Sequence, residues 1–598
     1  MTKPSVNEFV LRIANVNGTG SASANTLVAK TIFRMGVSIG PKNMFPSNIQ
    51  GLPTWYEIRV SQQGFTGRRG GVDFMVAFNG ETLKSDAADV VAGGYILYDS
   101  SKFLSDAEKK KDVTYLGVPI SDLAVTHFES VPKRIFLQNL IYVGVLARLL
   151  HLDQEVLMGL LSDQYAKAKD LLEANRQAID IGARYCEEHF AYPLSFHVEK
   201  RPKPDKILLE GNDALALAAL YAGATVCGWY PITPSTSVVE HFTRYCHKYR
   251  ISAQGKKKFA IVQAEDEIAS IGIVLGACWN GARAFTATSG PGISLMSEFF
   301  GYAYYAEVPA VIFNIQRCGP STGMPTRSQQ ADLLLCAYAS HGDTKHILLF
   351  PENPTECFEL GMQAFDLADQ LQTPVFVMSD LELGMNQFLC DPLQLKEGAA
   401  INRGKVRRAA DLDKSQKPFY RYEDIDGDGI PYRSYPGESG KGAYFTRGSG
   451  HDRFGRYTES SELYQENLDR IRAKFEKARS TLPKPRYVEV EEARWLIVAF
   501  GSSIEPLREA ICGLEEQGIL LSLLCLKSFP FHPDCAAILD RYDHIIIVEQ
   551  NQQGQMRTLM QAEGVLTPTA RVHSVLHYSG NPIEAEFLKK HIQHIMGI

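Results

Sequence analysis

The sequence predicts a multidomain α/β protein whose central part is a doubly wound sheet. Three observations predict it. From Ile207 onward, short apolar β-branched runs alternate with helical segments, and each run ends in a loop rich in Gly, Ser, Thr or Pro. The chain has 598 residues, enough for about three or four domains. Its 45% hydrophobic and 22% charged residues are the composition of an ordinary globular protein.

Residues 1–200 form the first expected domain. Phe9–Ala14 reads as a strand, Asn17-Gly18-Thr19-Gly20-Ser21-Ala22-Ser23 as a glycine-rich turn, and the segment from Asn25 as a helix. The turn partly matches a dinucleotide fingerprint, but the third glycine is missing and no acidic residue follows until Glu57. A packing turn or a different phosphate-bearing ligand stays open. Glu57–Ser61, residues 62–71 and Val72–Phe78 read as a hairpin carrying Arg59, Arg68 and Arg69. Arginine forks match phosphate oxygens, so these three are candidates to grip a phosphorylated cofactor; a solvated hairpin tip is the alternative. A helical stretch over 132–189 closes the region, and Arg201-Pro202-Lys203-Pro204-Asp205-Lys206 reads as a linker.

Residues 207–400 carry the repeated strand–loop–helix pattern. Helix 213–222 leads to Gly228-Trp229-Tyr230-Pro231-Ile232-Thr233-Pro234-Ser235, where two prolines stiffen a loop around Thr233 just before a serine-capped helix. Lys258–Glu267 ends a strand in three carboxylates, Glu265, Asp266 and Glu267, and opens a helix rich in small residues. The strand Ala284–Thr288 runs into Ser289-Gly290-Pro291-Gly292, and Ala310–Gln316 runs into Arg317 and a Gly/Pro-rich loop. In open α/β sheets ligands bind beyond the carboxyl ends of the strands. Thr233, Glu267, Ser289 and Arg317 should therefore line one crevice.

Residues 401–485 read as an irregular connecting segment ending in a charged helix, 459–479. Within it, Asp424-Ile425-Asp426-Gly427-Asp428-Gly429 begins like a calcium loop, but the twelfth position is Tyr435 and Pro431 interrupts it, so an EF-hand is rejected. The cluster reads as a surface turn, with a structural cation as the second reading. Residues 490–598 read as a final α/β domain with strands at 495–500, 520–526 and 544–548.

Composition narrows the partners. A net charge of −6 gives no chain-wide basic field, which argues against nucleic acid, so any anionic ligand must be held by local Arg and Lys. The eleven cysteines are scattered with no closely spaced pairs, which argues against a zinc site or an iron–sulfur cluster in this chain. No metal ligands are assigned. The odd cysteine count and the absence of an apolar signal core at the N-terminus point to a cytoplasmic protein with reduced thiols. The most apolar helical run, 134–152, is broken by Gln138, Asn139 and Arg148 and reads as a buried helix rather than a membrane span.

With these pieces in order, the chain resembles the fused γα, or large, subunit of 2-oxoacid:ferredoxin oxidoreductases, most of all the 2-oxoglutarate branch. The residues that carry the resemblance are Tyr230-Pro231-Ile232-Thr233-Pro234, Thr288-Ser289-Gly290-Pro291-Gly292, Gly319–Thr326 with Gln330-Ala331-Asp332-Leu333, and Val548-Glu549-Gln550-Asn551. The resemblance implies a γ domain at 1–200, a pyrimidine-type thiamine-diphosphate-binding domain at 207–400 and a transketolase-C-like domain at 490–598. It implies thiamine diphosphate shared with a β subunit that supplies Mg2+, the diphosphate site and a [4Fe–4S] cluster, with coenzyme A as co-substrate, ferredoxin as acceptor and an (αβ)2 assembly. That division would account for the Gly427-Asp428-Gly429 fragment lacking its closing Asn, and for the missing cluster cysteines.

The resemblance also distributes roles. A carboxylate bonded to the pyrimidine ring activates the cofactor, and the spacing to Gly272 and Gly276 places that role on Glu267 rather than on Glu265 or Asp266, which suit a helix N-terminus. Pro231, Ile232 and Ser289 join it as cofactor contacts. Arg317 can hold the substrate carboxylate in a fork, with Thr233 and Thr326 as further contacts; a structural ion pair is the alternative for Arg317. The second carboxylate of 2-oxoglutarate needs another cation, either Arg327 or a β-subunit lysine. Arg59, Arg68 and Arg69 become candidates for the phosphates of coenzyme A. The expected reaction joins 2-oxoglutarate, coenzyme A and oxidised ferredoxin to give succinyl-CoA, CO2 and reduced ferredoxin. Pyruvate or broad 2-oxoacid specificity, and a non-catalytic scaffold, are the competing readings.

Overall fold

The computed structural model describes residues 5–44, 51–102, 104–191, 194–395, 400–566 and 570–598. The first four residues of the stretch expected to lack a signal core, and residues 396–399 at the expected boundary near 400, lie outside the described residues. Among the described residues no helix is long and apolar enough to cross a membrane.

The run near Phe9 forms β1 (Phe9–Val16), buried at every position except Val16. A strand covered on both faces has no polar side, so its sequence is continuous rather than alternating. Gly18 and Gly20, both at positive φ, turn the chain into α1 (Ser21–Arg34). With β2 (Ser38–Met44), β3 (Pro53–Ser61), β4 (Val72–Ala77), β5 (Val90–Asp99) and β6 (Thr114–Val118), β1 builds a sheet of order β2-β3-β1-β4-β5-β6. The expected arginine-bearing hairpin does not form. β3 pairs antiparallel with β1 and β4 pairs parallel with β1 on its other side, so residues 62–71 cross between two strands that are not neighbours. Helices α2 (Val131–Leu149) and α3 (Lys169–His189) touch backbone to backbone at Gly144 and Gly182, where a Cβ would lie 1.9 Å from the facing carbonyl oxygen.

The central region begins with β7 (Ile207–Glu210) and α4 (Gly211–Tyr221) and continues as β8 (Val226–Trp229), α5 (Thr236–Tyr249), β9 (Ala260–Gln263), α6 (Glu267–Trp279), β10 (Ala284–Thr288), α7 (Gly290–Ala306) and β11 (Ala310–Gln316). It goes on through α8 (Leu333–Ala337), β12 (Ile347–Leu349), α9 (Pro354–Leu371), β13 (Pro374–Asp380) and β14 (Gln387–Cys390). The sheet runs β9-β8-β10-β11-β13-β12 with every pair parallel. Ser528–Phe529 adds antiparallel at the β12 edge, and β14 pairs antiparallel with β7.

The connecting segment contains α10 (Ser461–Ala478), which returns to the central core and inserts Ile471 and Phe475. The Asp424 cluster is a turn: the Asp424 carboxylate accepts the backbone N–H groups of Gly427, Asp428 and Gly429, and Lys405 pairs with Asp426 and Asp428. The last sheet takes β15 (Arg486–Val488), β16 (Trp495–Ala499), β17 (Leu521–Cys525), β18 (His544–Glu549) and β19 (Arg571–Leu576) in the order β15-β17-β16-β18-β19. Helices α11 (Ile504–Glu515), α12 (Gln555–Ala562) and α13 (Ala585–Met596) flank it. One face shares a continuous core with the central sheet, in which Ile293 and Phe300 of α7 belong to the same cluster as Leu496, Ile547 and Met556.

Candidate active site

Four adjacent strands of the central sheet, β9, β8, β10 and β11, release the chain at their carboxyl ends into Glu267, Thr233, Ser289 and Arg317 respectively. Because the strands are parallel, those four residues emerge along one edge, the geometry from which α/β folds build ligand sites.

The Thr233 loop is tied down by its own side chains. The Ile232 N–H donates to Thr236 Oγ1 at 3.1 Å, and Ser235 Oγ donates to the Ile232 carbonyl at 3.0 Å. Ser235 therefore spends its hydroxyl on the loop, and the serine cap expected for α5 is not made. The amide of Asn212 on α4 donates to the Pro234 carbonyl at 2.9 Å, and the Thr233–Pro234 peptide is cis. Pro231 is exposed at the lip while Ile232 and Thr233 are half-buried.

Glu267 is the first residue of α6, and its neighbour Asp266 does the capping by accepting the Ala269 N–H at 2.7 Å. Of the three carboxylates, Asp266 thus serves the helix and Glu267 is left free of that task. Only 7% exposed, Glu267 packs over Gly292, where a Cβ would stand 2.8 Å from Glu267 Cγ and 2.0 Å from Thr288 Oγ1. Ser289 Oγ is buried without a hydrogen-bond partner among the described residues. A buried carboxylate, an orphaned hydroxyl and a glycine-lined approach fit the amino-pyrimidine end of a thiamine cofactor, which needs a carboxylate and close backbone contact.

Arg317 donates through Nη1 to the Thr233 carbonyl at 2.7 Å, joining two of the strand ends, while its Nε is buried and has no partner among the described residues. Burial lowers its pKa from the usual guanidinium value, and Asp332 and Glu267 pull it back up. Arg317 opens on a cavity of about 730 Å3 shared with Gly290, Asp332 and, from the last region, Asn551, Gln552 and Tyr578. A half-buried cation with donors to spare can hold a carboxylate there. Burial pushes the Asp332 carboxyl up to about 6, against the pull of Asn314 and Arg317.

Thr326 is 5% exposed, and its hydroxyl has no partner among the described residues. Arg327 lines a second cavity, of about 380 Å3, together with Arg12, Trp55, Arg68 and Glu584, rather than the cavity of Arg317. Arg59 pairs with Glu8 and Glu509, Arg68 with Glu57 and Glu584, and Arg69 with Asp73. Arg59 and Arg68 tie distant parts of the chain together through Glu509 and Glu584, which the sequence does not show, whereas Arg69 pairs locally with Asp73 four residues on.

Two further features escape sequence reasoning. Asp332 falls in the Gln330-Ala331-Asp332-Leu333 motif, but no spacing gives its carboxyl a role. Gln330 donates to Asp380 at 2.9 Å, Asp380 accepts from Ser502 at 2.6 Å, and Gln550 donates to Ser502 and Ser503, a buried chain that fixes the last region against β13. The terminal Glu549 accepts the Met556 and Arg557 N–H groups and the Asn551 amide, which shapes the loop that borders the cavity.

Comparison with known proteins shows the family to which the chain is similar. Residues 217–408 match the family described as "Pyruvate flavodoxin/ferredoxin oxidoreductase, thiamine diP-bdg", and residues 10–185 match "Pyruvate ferredoxin/flavodoxin oxidoreductase". The first span contains Thr233, Glu267, Ser289, Arg317 and Thr326. The chain is 34% identical to the 2-oxoglutarate synthase subunit KorA of Methanocaldococcus jannaschii, covering 57% of this chain and 88% of that one. It is 29% identical to 2-oxoacid:ferredoxin oxidoreductase 2, subunit alpha, of Aeropyrum pernix, across 96% of both chains. Among solved structures, the 2-oxoglutarate:ferredoxin oxidoreductase from Magnetococcus marinus with 2-oxoglutarate, coenzyme A and succinyl-CoA bound superposes with a TM-score of 0.88 at 29% identity, over 98% of this chain and 99% of that one.

Proposed function

Because the chain belongs to the 2-oxoacid:ferredoxin oxidoreductase family, we propose that it is the large subunit of an enzyme that interconverts 2-oxoglutarate plus coenzyme A with succinyl-CoA plus CO2, using ferredoxin as the electron partner. The observation that carries this reading is the convergence of Thr233, Glu267, Ser289 and Arg317 on one sheet edge, beside a cavity large enough for a small 2-oxoacid. The 2-oxoglutarate branch is favoured by the named relatives.

In this reading Glu267 holds a proton at the pyrimidine nitrogen, and its burial against Gly292 keeps water from competing for the carboxylate. Ser289, Pro231 and Ile232 border the same ring. Bound thiamine diphosphate supplies the carbon nucleophile and takes up the electron pair released with CO2. Arg317 orients the 2-oxoacid through its carboxylate, the Thr233 carbonyl fixes the guanidinium, and the Thr233 and Thr326 hydroxyls serve the substrate oxygens. The diphosphate, its Mg2+ and a [4Fe–4S] cluster are assigned to a β subunit in an (αβ)2 assembly.

Arg327 lines a different cavity from Arg317, which favours assigning the second carboxylate of 2-oxoglutarate to a cation of the β subunit. We assign the phosphates of coenzyme A to the cavity where Arg327 joins Arg68 and Arg12: Asp86, Asp89 and Glu584 also line it, but Asp89 and Glu584 are paired with Arg12 and Arg68, and Arg327 alone of the three arginines has no carboxylate partner among the described residues. Arg59 and Arg69 keep structural ion pairs.

The test is anaerobic ferredoxin reduction by the chain co-purified with its β subunit, comparing 2-oxoglutarate with pyruvate. Turnover that requires both chains, prefers 2-oxoglutarate and disappears in Glu267→Gln is expected. Full activity of Glu267→Gln would sink the assignment, and preference for pyruvate would move the enzyme to the other substrate class.

A further inference from the structure

We propose that Asp332 stands beside the substrate carboxylate as an anion, weakening its binding and promoting its loss as CO2. The inference rests on the reading of Arg317 as the partner of that carboxylate and deepens it.

The position of Asp332 is built rather than incidental. It lines the same 730 Å3 cavity as Arg317 and precedes α8. Its N–H donates to Gln316 Oε1 at 3.1 Å, and its carboxylate accepts the Asn314 amide at 3.1 Å. Both partners come from β11, the strand that ends in Arg317. Gly290, at the start of α7, leaves room for it: a Cβ there would lie 2.9 Å from Asp332 Oδ1 and 3.1 Å from Oδ2. Among the described residues the carboxylate has no ion-pair partner in contact, so its charge acts on whatever enters the cavity. Among the described residues, the titratable groups that share its cavity or act on it are Arg317 and Cys318 after β11, Cys336 on α8 and the Tyr578 phenol after β19, while Glu267 on α6 acts on Arg317. Arg317 is the cation among them.

A 2-oxoacid carboxylate held by Arg317 therefore also meets a second negative group. Above about 6 that group is ionised and repels it; below, it is neutral and can donate a hydrogen bond. During the reaction the C1–C2 bond breaks, neutral CO2 departs, and the electron pair stays with the fragment that keeps C2. The substrate's negative charge at C1 is lost in this step, so the repulsion present in the ground state is relieved on the way to the transition state. A group of this kind raises KM and kcat together, whereas one that only supports the fold raises neither in concert.

The experiment uses the assembled enzyme with 2-oxoglutarate. Asp332→Asn keeps the shape and can still accept the Asn314 amide; it is expected to lower KM and kcat together, each about fivefold near neutral pH. The wild-type KM should rise with pH through about 6, and this step should be absent in Asp332→Asn. A readout without turnover is equilibrium dialysis of labelled 2-oxoglutarate against Glu267→Gln enzyme, in which affinity falls through the same pH range only while Asp332 is present. If Asp332→Asn does not assemble, Asn314→Ala takes its place: loss of the bond that favours the anion should move the step to higher pH. An unchanged or raised KM in Asp332→Asn, a pH step that survives it, or an unmoved step in Asn314→Ala overturns the inference while normal wild-type turnover leaves the substrate reading standing. Absence of 2-oxoglutarate turnover in the wild-type assembly overturns both.

Discussion

Gly292 decides how near Glu267 can stand to Thr288, because any side chain there would occupy the space of the Thr288 hydroxyl and of Glu267 Cγ. Gly292→Ala is thus expected to push Glu267 off its position and cut turnover by about a hundredfold, a size that misplacement of a catalytic group commonly produces. Far-UV circular dichroism and assembly with the β subunit check that the fold persists. At Arg317 the argument is different. Arg317→Lys keeps the charge but loses the fork that reaches the Thr233 carbonyl and, in the proposed reading, the substrate carboxylate. KM for 2-oxoglutarate should rise about tenfold or more, with a smaller change in kcat. These strand-end residues were legible in the sequence because each follows a short apolar run, Thr233, Ser289 and Arg317 beside Gly/Pro-rich turns and Glu267 at the start of a small-residue helix. Asp332 and the need for Gly at 290 and 292 were not legible, since they follow from contacts between separate elements.

The elements show a similar division. Strands and helices of the central sheet follow from their apolar runs, and even the neighbour order β9-β8-β10-β11 suits the parallel pattern that the alternation implies. The charged helix α10 shows the other side of the matter. Its sequence reads as a charged helix, yet Lys474 is 1% exposed and pairs with Glu307 at 2.9 Å, and Arg470 pairs with the same carboxylate. Glu307 itself caps α7 at a positive φ of 55° and is 1% exposed. Burial disfavours its charge, but Arg470, Lys474 and Arg421 outweigh this and hold its carboxyl far below the usual range. Glu307→Gln leaves two buried cations uncompensated, which typically costs about 3–5 kcal/mol. Denaturant unfolding of the assembled enzyme should show a loss of that order; a loss under about 1 kcal/mol would place the helix's attachment in Ile471 and Phe475 instead.

Across the whole molecule, the crossing segment 62–71 is what joins the N-terminal sheet to the last one. The Ala585 and Glu586 N–H groups donate to the Arg68 and Arg69 carbonyls, Thr66 donates to Glu505, and Gly67 lies so close to Pro506 that a Cβ would come within 2.5 Å of its nitrogen. Arg68 anchors the junction between Glu57 of β3 and Glu584 before α13. No hairpin could do this, because a hairpin tip would end at the edge of its own sheet. Burial would raise the Glu57 carboxyl, but Arg68 and Arg12 prevail and bring it from 4.5 down to about 2. A carboxyl depressed in the folded state contributes stability that is complete above its unfolded pKa and fades as pH falls through the folded one. Glu57→Gln should therefore destabilise the assembled enzyme most at neutral pH, by about 3–5 kcal/mol as expected for a buried pair with one partner removed. The difference from wild type should shrink between pH 4.5 and about 2. Gly67→Ala disturbs the same junction through backbone contact alone, so its cost should not vary with pH over that range. Thermal unfolding of the two variants across that window separates an electrostatic anchor from simple close packing, and equal pH profiles for both would assign the junction to packing.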